Sequence, residues 1–266
     1  MFPQAHDRDM HSSGGIGAVQ QFYDDLANTY HLCHTDWEMS IRTEGPALHR
    51  ILTSQLGTGP HRVLDCACGI GTQLVGLAQH GHQVTGSDFS ENAVRRATKE
   101  IAQRGLAANI HVADMRALPF NAHSFDAVVC ANNSLPHLLE PSAVLAAARS
   151  MRRVLRPGGM ILITTRDYDA LHAAQPTGTP PVVVETPEER TITIQVWSWR
   201  GEHYDLEHLQ IVSNGTDWKV QHRVTPYWAV TRQQLTEMLT AAGFTGLCWH
   251  EPESTGYFQP ILTATI

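Results

Sequence analysis

The ten residues from Val63 to Thr72, Val-Leu-Asp-Cys-Ala-Cys-Gly-Ile-Gly-Thr, constrain this chain more than any other stretch, because they read as a buried strand running into a glycine turn that opens a helix. The apolar run suits a parallel strand covered on both faces. Gly69 and Gly71 remove the Cβ atoms that would hold a guest off the backbone, and a helix beginning at Ile70 would offer unpaired amides. Asp65 ends the strand facing that gap. A dinucleotide fingerprint needs G-x-G-x-x-G and sets a pyrophosphate on the helix N-terminus, whereas here the third glycine is displaced to Gly76 and a carboxylate sits just upstream. The turn therefore suits a guest that is positive where a pyrophosphate would be negative.

S-adenosylmethionine is such a guest, since its sulfonium and amino groups are cationic and Asp65 can answer the amino group directly or through water. A second predicted strand, 83–87, ends at Asp88, about twenty residues beyond the glycines, where an acid can bond both hydroxyls of a ribose.

From Arg62 onward the pattern alternates: strands at 62–66, 83–87, 109–112, 125–130 and 160–165, helices at 70–80, 90–104 and 141–155. This predicts an α/β fold, a Rossmann-like parallel sheet with helices on both faces. Ser90 is placed to cap the second helix, and Pro157-Gly158-Gly159 to turn the chain before the fifth strand. Asp65, Asp88, Asp114, Asn132 and Arg166 each follow a predicted strand, so they should converge on the carboxyl rim where such sheets bind ligands.

Around this core, 57–170, the remaining segments divide by pattern. Residues 1–15 have no apolar periodicity and are expected to be a disordered tail. Residues 16–56 read as a helical lid carrying Tyr23, Tyr30, Trp37 and Arg42 over the cleft. Residues 171–230 turn β-rich, with runs at 181–185, 191–199, 204–213 and 218–227 and a hairpin signal at Asn214-Gly215. They predict an antiparallel β insert capping the active site; a pocket narrowed by its Trp197, Tyr204 and Trp228 would suit a tiny acceptor, and an open one would not. Residues 231–266 return to complete the sheet.

Composition limits the partners. With 42% hydrophobic and 17% charged residues and a net charge of −7, the chain argues against a nucleic-acid partner, and its apolar runs are too short for a membrane span. A small-molecule acceptor is expected, with monomer and homo-oligomer both open. The first residues lack a secretory signal, which points to a cytoplasmic location. Five cysteines read as reduced thiols, and 16 histidines are scattered without metal spacing, so no metal is expected.

Four segments carry a closer likeness: Phe22 to Ala27 with Asp36-Trp37, Asp65 to Gln73, Asn132 to Leu138, and Thr165 to Asp169. They resemble the class I S-adenosylmethionine-dependent methyltransferases and, more narrowly, the glycine and sarcosine N-methyltransferases, microbial betaine-pathway enzymes above all. The resemblance implies S-adenosyl-L-methionine as cofactor, S-adenosyl-L-homocysteine as product, and in-line methyl transfer to the amine of a small amino acid. It implies that Tyr23, Tyr30, Trp37 and Arg42 close over the cofactor, Arg42 on its carboxylate. Asp65, Ala67, Gly69 and Gly71 would cradle it, Asp88 would hold the ribose, and Asp114 with Met115 the adenine. Asn132 would face both cofactor and acceptor, and Arg166 would grip the acceptor carboxylate. His137 or Tyr204 would help the amine lose its proton through water. The alternative is a natural-product methyltransferase acting on a larger amino or keto acid at nitrogen, carbon or oxygen.

Overall fold

The computed structural model describes residues 16–187, 189–213, 215 and 217–266. The expected tail and Asn214 of the hairpin signal lie outside the described residues. In chain order the elements are α1 (Ile16–Leu26), a 3-10 turn (Tyr30–Cys33), α2 (Trp37–Leu56), β1 (Arg62–Asp65), α3 (Thr72–Gln79), β2 (Gln83–Asp88), α4 (Glu91–Gln103), β3 (Ala108–Val112), β4 (Phe125–Cys130), α5 (Pro141–Val154), β5 (Leu155–Thr164), α6 (Tyr168–Ala174), β6 (Val182–Glu185), β7 (Arg190–Arg200), β8 (His203–Ser213), β9 (Trp218–Trp228), α7 (Arg232–Ala241), β10 (Thr245–His250), α8 (Pro252–Thr255) and β11 (Ile261–Thr265).

Seven strands form one sheet in the order β10-β11-β5-β4-β1-β2-β3. Strands β1 to β5 are parallel, and β11 runs antiparallel between β5 and β10. Burial on both faces explains the unbroken apolar sequences of the central strands β4 and β5, while the edge strand β3 is half exposed and mixed in sequence. On β1, β4 and β5, Leu64, Val128, Cys130, Ile161 and Ile163 face one core, joined by Cys66 just after β1, while Val63, Ala127, Val129, Met160 and Leu162 face the other. The β-rich segment forms a second, four-stranded antiparallel sheet, β6-β7-β8-β9.

Two local expectations shift. The first core helix starts at Thr72, not Ile70, because Gly69 and Gly71 both take positive φ (51° and 100°) and hold the loop out of helical geometry. Strand β5 begins at Leu155, and Pro157-Gly158-Gly159 form an irregularity inside it, where the register against β4 shifts.

The expected lid divides in two. Helix α2 buries Trp37, Ile41, Leu48 and Leu52 in the same cluster as Val63 and Ala127, so it is a layer of the core. It meets α3 at Gly45 and Gly76 so closely that a Cβ on Gly76 would stand 2.6 Å from Gly45 Cα. Backbone against backbone cannot yield as a flexible side chain would. Gly76→Ala is therefore expected to cost about 1–3 kcal/mol, read as a lowered midpoint in urea unfolding.

Candidate active site

The carboxyl ends of β1, β2 and β4 open onto a cavity. Its wall includes Tyr23, Tyr30, Ala67, Gly69, Asp88, Asp114, Met115 and Asn132. A second cavity of about 690 Å³ adjoins it, walled in part by Asn133, Arg166, Gln195, His208 and Tyr227. Tyr23, Tyr30 and Asn132 belong to both walls.

Asp65 is buried directly behind the first wall, and neither carboxylate oxygen has a hydrogen-bond partner among the described residues. Burial pushes its carboxyl up to about 7, and the nearby Asp88 adds to the rise. Asp88 accepts bonds from the Gly69 and Ser90 amides, both 2.9 Å. Burial still raises it to about 6, with those amides pulling the other way. Asp114 accepts from the Arg116 amide at 2.8 Å and from the Arg116 guanidinium at 2.6 Å, an ion pair that the sequence pattern did not suggest.

An S-adenosylmethionine molecule fits this donor set. Asp65 is a buried carboxyl next in sequence to the wall residues Cys66 and Ala67, Asp88 keeps lone pairs for two hydroxyls, and the glycine loop lets the backbone approach.

Four expected contacts do not line the cavity: Asp65 and Gly71, which flank wall residues of the glycine loop, and Arg42 and Trp37. Arg42 is exposed and pairs with Asp36 at 3.6 Å, and Trp37 is buried with its indole N–H donating to Thr72 Oγ1 at 2.8 Å; neither lines a cavity. The cause is helical phase: Glu44, two residues after Arg42 and so on the opposite side of α2, is the inward-facing charge. Glu44 accepts from Gln73 Nε2, from Tyr257 Oη at 3.2 Å and from Asn132 Nδ2 at 3.4 Å. Tyr257 Oη also lies 2.5 Å from Asn132 Oδ1, so its one proton is shared between the two acceptors. Burial raises the Glu44 carboxyl to about 7 despite these donors.

His137 and Tyr204 are not placed as bases. Pro226 O, 3.1 Å from His137 Nδ1, can only accept, so Nδ1 carries the proton and Nε2 accepts from Tyr23 Oη at 2.7 Å. Burial lowers His137 to about 3, which leaves it neutral and fully occupied. Tyr204 is buried outside both walls and stacks on Trp197 and Tyr227, with ring centroids 4.9 and 5.2 Å away. Trp197, Tyr204 and Trp228 thus do not narrow the second cavity; Tyr30, Leu206, His208 and Tyr227 do.

Arg166 lies against that cavity with no carboxylate partner among the described residues. Its nearest sequence acids, Asp167 and Asp169, pair with Arg232 instead. Its Nη1 donates to Tyr204 Oη at 2.5 Å and its Nη2 to Gln195 at 3.4 Å, and the guanidinium lies over Trp197 at 4.6 Å. Asn133 accepts from the Arg166 amide at 3.0 Å, while its own Nδ2 is buried and unpartnered. Asn132 and Asn133 both take positive φ, 54° and 63°, which turns consecutive side chains into the two cavities. Asn133, Gln195 and Glu44 were not read from the sequence; an unpaired acid on the apolar side of α2 was the one available signal.

The family described as a methyltransferase domain matches residues 63–159. The glycine/sarcosine N-methyltransferase of Parasynechococcus marenigrum (strain WH8102) is 32% identical over 51% of this chain, which spans about half (48%) of that relative. The glycine N-methyltransferase of Mus musculus is 29% identical over 76% of this chain and 74% of its own. The solved sugar N-methyltransferase KedS8 from Streptoalloteichus sp ATCC 53650 shares the fold with a TM-score of 0.72 at 21% identity, covering 85% of this chain and 87% of that one.

The buried carboxylate of Asp65 gives a pH test. Its folded value, about 7, lies above the ordinary 3.8, so the stability it permits is full below about pH 4 and is lost as pH rises through 7. Asp65→Asn should stabilise the ligand-free chain by about 1–3 kcal/mol at pH 8, a gain that shrinks toward pH 5 in thermal melts, while weakening cofactor binding in calorimetry.

Proposed function

We propose that this chain is a class I S-adenosylmethionine-dependent methyltransferase, a reading supported by the methyltransferase-domain match and the likeness to glycine and sarcosine N-methyltransferases, and that it transfers methyl groups to the amine of a small amino acid, glycine, sarcosine or a close relative, as a step toward betaine where those are the acceptors. The observation that carries this reading is Arg166, a guanidinium set into the second cavity without an acid of its own. Guanidinium is shaped for a two-point grip on carboxylate, and an amino acid supplies one. The free Nδ2 of Asn133 adds a neutral donor beside it.

In the first cavity Asp88 would hold the ribose, Asp114 and Met115 the adenine, and Asp65 with Ala67 the methionine end. When bound, the cofactor supplies an electrophilic methyl group on a sulfonium centre. The chain itself contributes orientation: Arg166 fixes the carboxylate, so the amine is aimed at the Tyr23, Tyr30 and Asn132 wall that both cavities share. Orientation in a closed aromatic cleft supplies on the order of 7–11 kcal/mol of barrier reduction for a well-placed pair. Gln195, Tyr204 and Trp197 hold the guanidinium, and His137 holds Tyr23. Neither His137 nor Tyr204 is available as a base, so the ammonium gives its proton to solvent before the cleft closes.

A second reading is suggested by the sugar N-methyltransferase whose fold this chain shares. It favours a larger amino acid or an amino sugar as acceptor. Methyl-labelled cofactor incubated with a panel from glycine to larger amino acids and amino sugars, with product masses read for each, separates the two.

Arg166→Lys keeps the charge and loses the fork. It is expected to raise the acceptor KM at least tenfold, about 1.4 kcal/mol, with cofactor affinity unchanged. Steady-state kinetics beside cofactor titration of the same variant checks it; an unchanged acceptor KM removes the carboxylate grip.

A further inference from the structure

Arg166 lies against a third cavity as well as the second. This outer cavity is walled in part by Asp167 and Leu171 beside and on α6, by Glu253 on α8 and by Trp197, and it shares Arg166, Phe258 and Gln259 with the second cavity. Of the described side chains on the second cavity's wall, Phe258 alone is exposed, at 59%. The local chain explains why. Gly256 ends α8 with a φ of 70°, and the next three residues link it to β11. Tyr257 and Gln259 turn inward, where Tyr257 Oη reaches Glu44 and Asn132 and Gln259 Oε1 accepts from Thr164 Oγ1 at 2.8 Å. Phe258, held between these two anchors, turns out and stacks on Tyr257 with centroids 5.1 Å apart. Single exposed aromatics are common on proteins; this one stands on the boundary between two cavities that both reach Arg166.

We propose that Phe258 determines acceptor size: its ring closes the second cavity toward the outer one and excludes acceptors whose substituent would have to pass it. The inference rests on the amino-acid reading above. In that reading Arg166 takes the carboxylate, and the wall of Tyr23, Tyr30 and Asn132 receives the amine, so the α-carbon substituent must find room on the remaining wall. Leu26, Leu206, His208 and Tyr227 are buried there, and close-packed side chains do not give way without a packing loss. An exposed ring has little packing to lose. The selection between a hydrogen and a larger substituent therefore falls on Phe258, and a substituent that passes it enters the outer cavity.

Steady-state kinetics of the full chain with glycine, alanine and leucine tests this. Phe258→Ala is expected to raise kcat/KM for leucine relative to glycine by about tenfold or more, and Phe258→Trp to lower that for alanine relative to glycine, with cofactor affinity unchanged in both. Ratios that do not move in Phe258→Ala overturn the proposal. A second measurement needs no acceptor. Cys33 is half-buried on the wall of the second cavity, so its alkylation by iodoacetamide and by a bulky maleimide, read from peptide masses, reports passage into that cavity. Phe258→Ala is expected to speed the maleimide relative to iodoacetamide by about tenfold or more, the same range as the kinetic effect. If none of the three amino acids is methylated yet the maleimide is sped in this way, the closure by Phe258 stands and the amino-acid reading falls. Equal relative labelling of wild type and Phe258→Ala overturns the closure itself.

Discussion

The carboxylate of Asp88 is the tie on which the site depends. One oxygen takes the Gly69 amide and so fixes the glycine loop to the end of β2; the other takes the Ser90 amide at the head of α4. Ser90 caps that helix through Ala93 N at 3.1 Å and donates to Asp24 on α1 at 2.6 Å. Loop, strand, helix and the N-terminal segment therefore share one anchor. Hydrogen bonds to an ionised group contribute about 1.5–3 kcal/mol each, and here they work against the cost of burying the charge.

Much of this was legible before any coordinates. The parallel sheet was readable because burial on both faces leaves unbroken apolar runs, and because Asp65, Asp88, Asp114 and Asn132 stand where such runs stop. The glycine loop was legible in kind but not in length, since positive φ at Gly69 and Gly71 delays the helix in a way no composition signals. On α2 the phase was lost. Arg42 and Glu44 are two residues apart among mixed polar neighbours, and only the close approach of Gly45 to Gly76 fixes which one turns inward.

The same limit applies where the chain doubles its asparagines. Sequence marks Asn132-Asn133 as a strand end, but which amide meets Arg166 depends on two successive left-handed residues. Aromatic residues of the insert posed the opposite problem. Sequence left open whether Trp197 and Tyr204 narrow the acceptor pocket or pack, and they sit behind its wall, where they contact the guanidinium. Side-chain size reports burial; it does not say which side of a wall the ring occupies.

The wall shared by the two cavities has a thermodynamic consequence. Whatever fills the first restricts Tyr23, Tyr30 and Asn132, and those groups are part of what the second guest meets. The two binding free energies are then linked, and the linkage is reciprocal: any factor by which the first guest changes the affinity of the second is the factor by which the second changes the first. Glu44 sits under that wall, bonded to Asn132 and Gln73. Burial raises its carboxyl to about 7, so any such linkage through Asn132 would vary with pH along with the affinity of either guest.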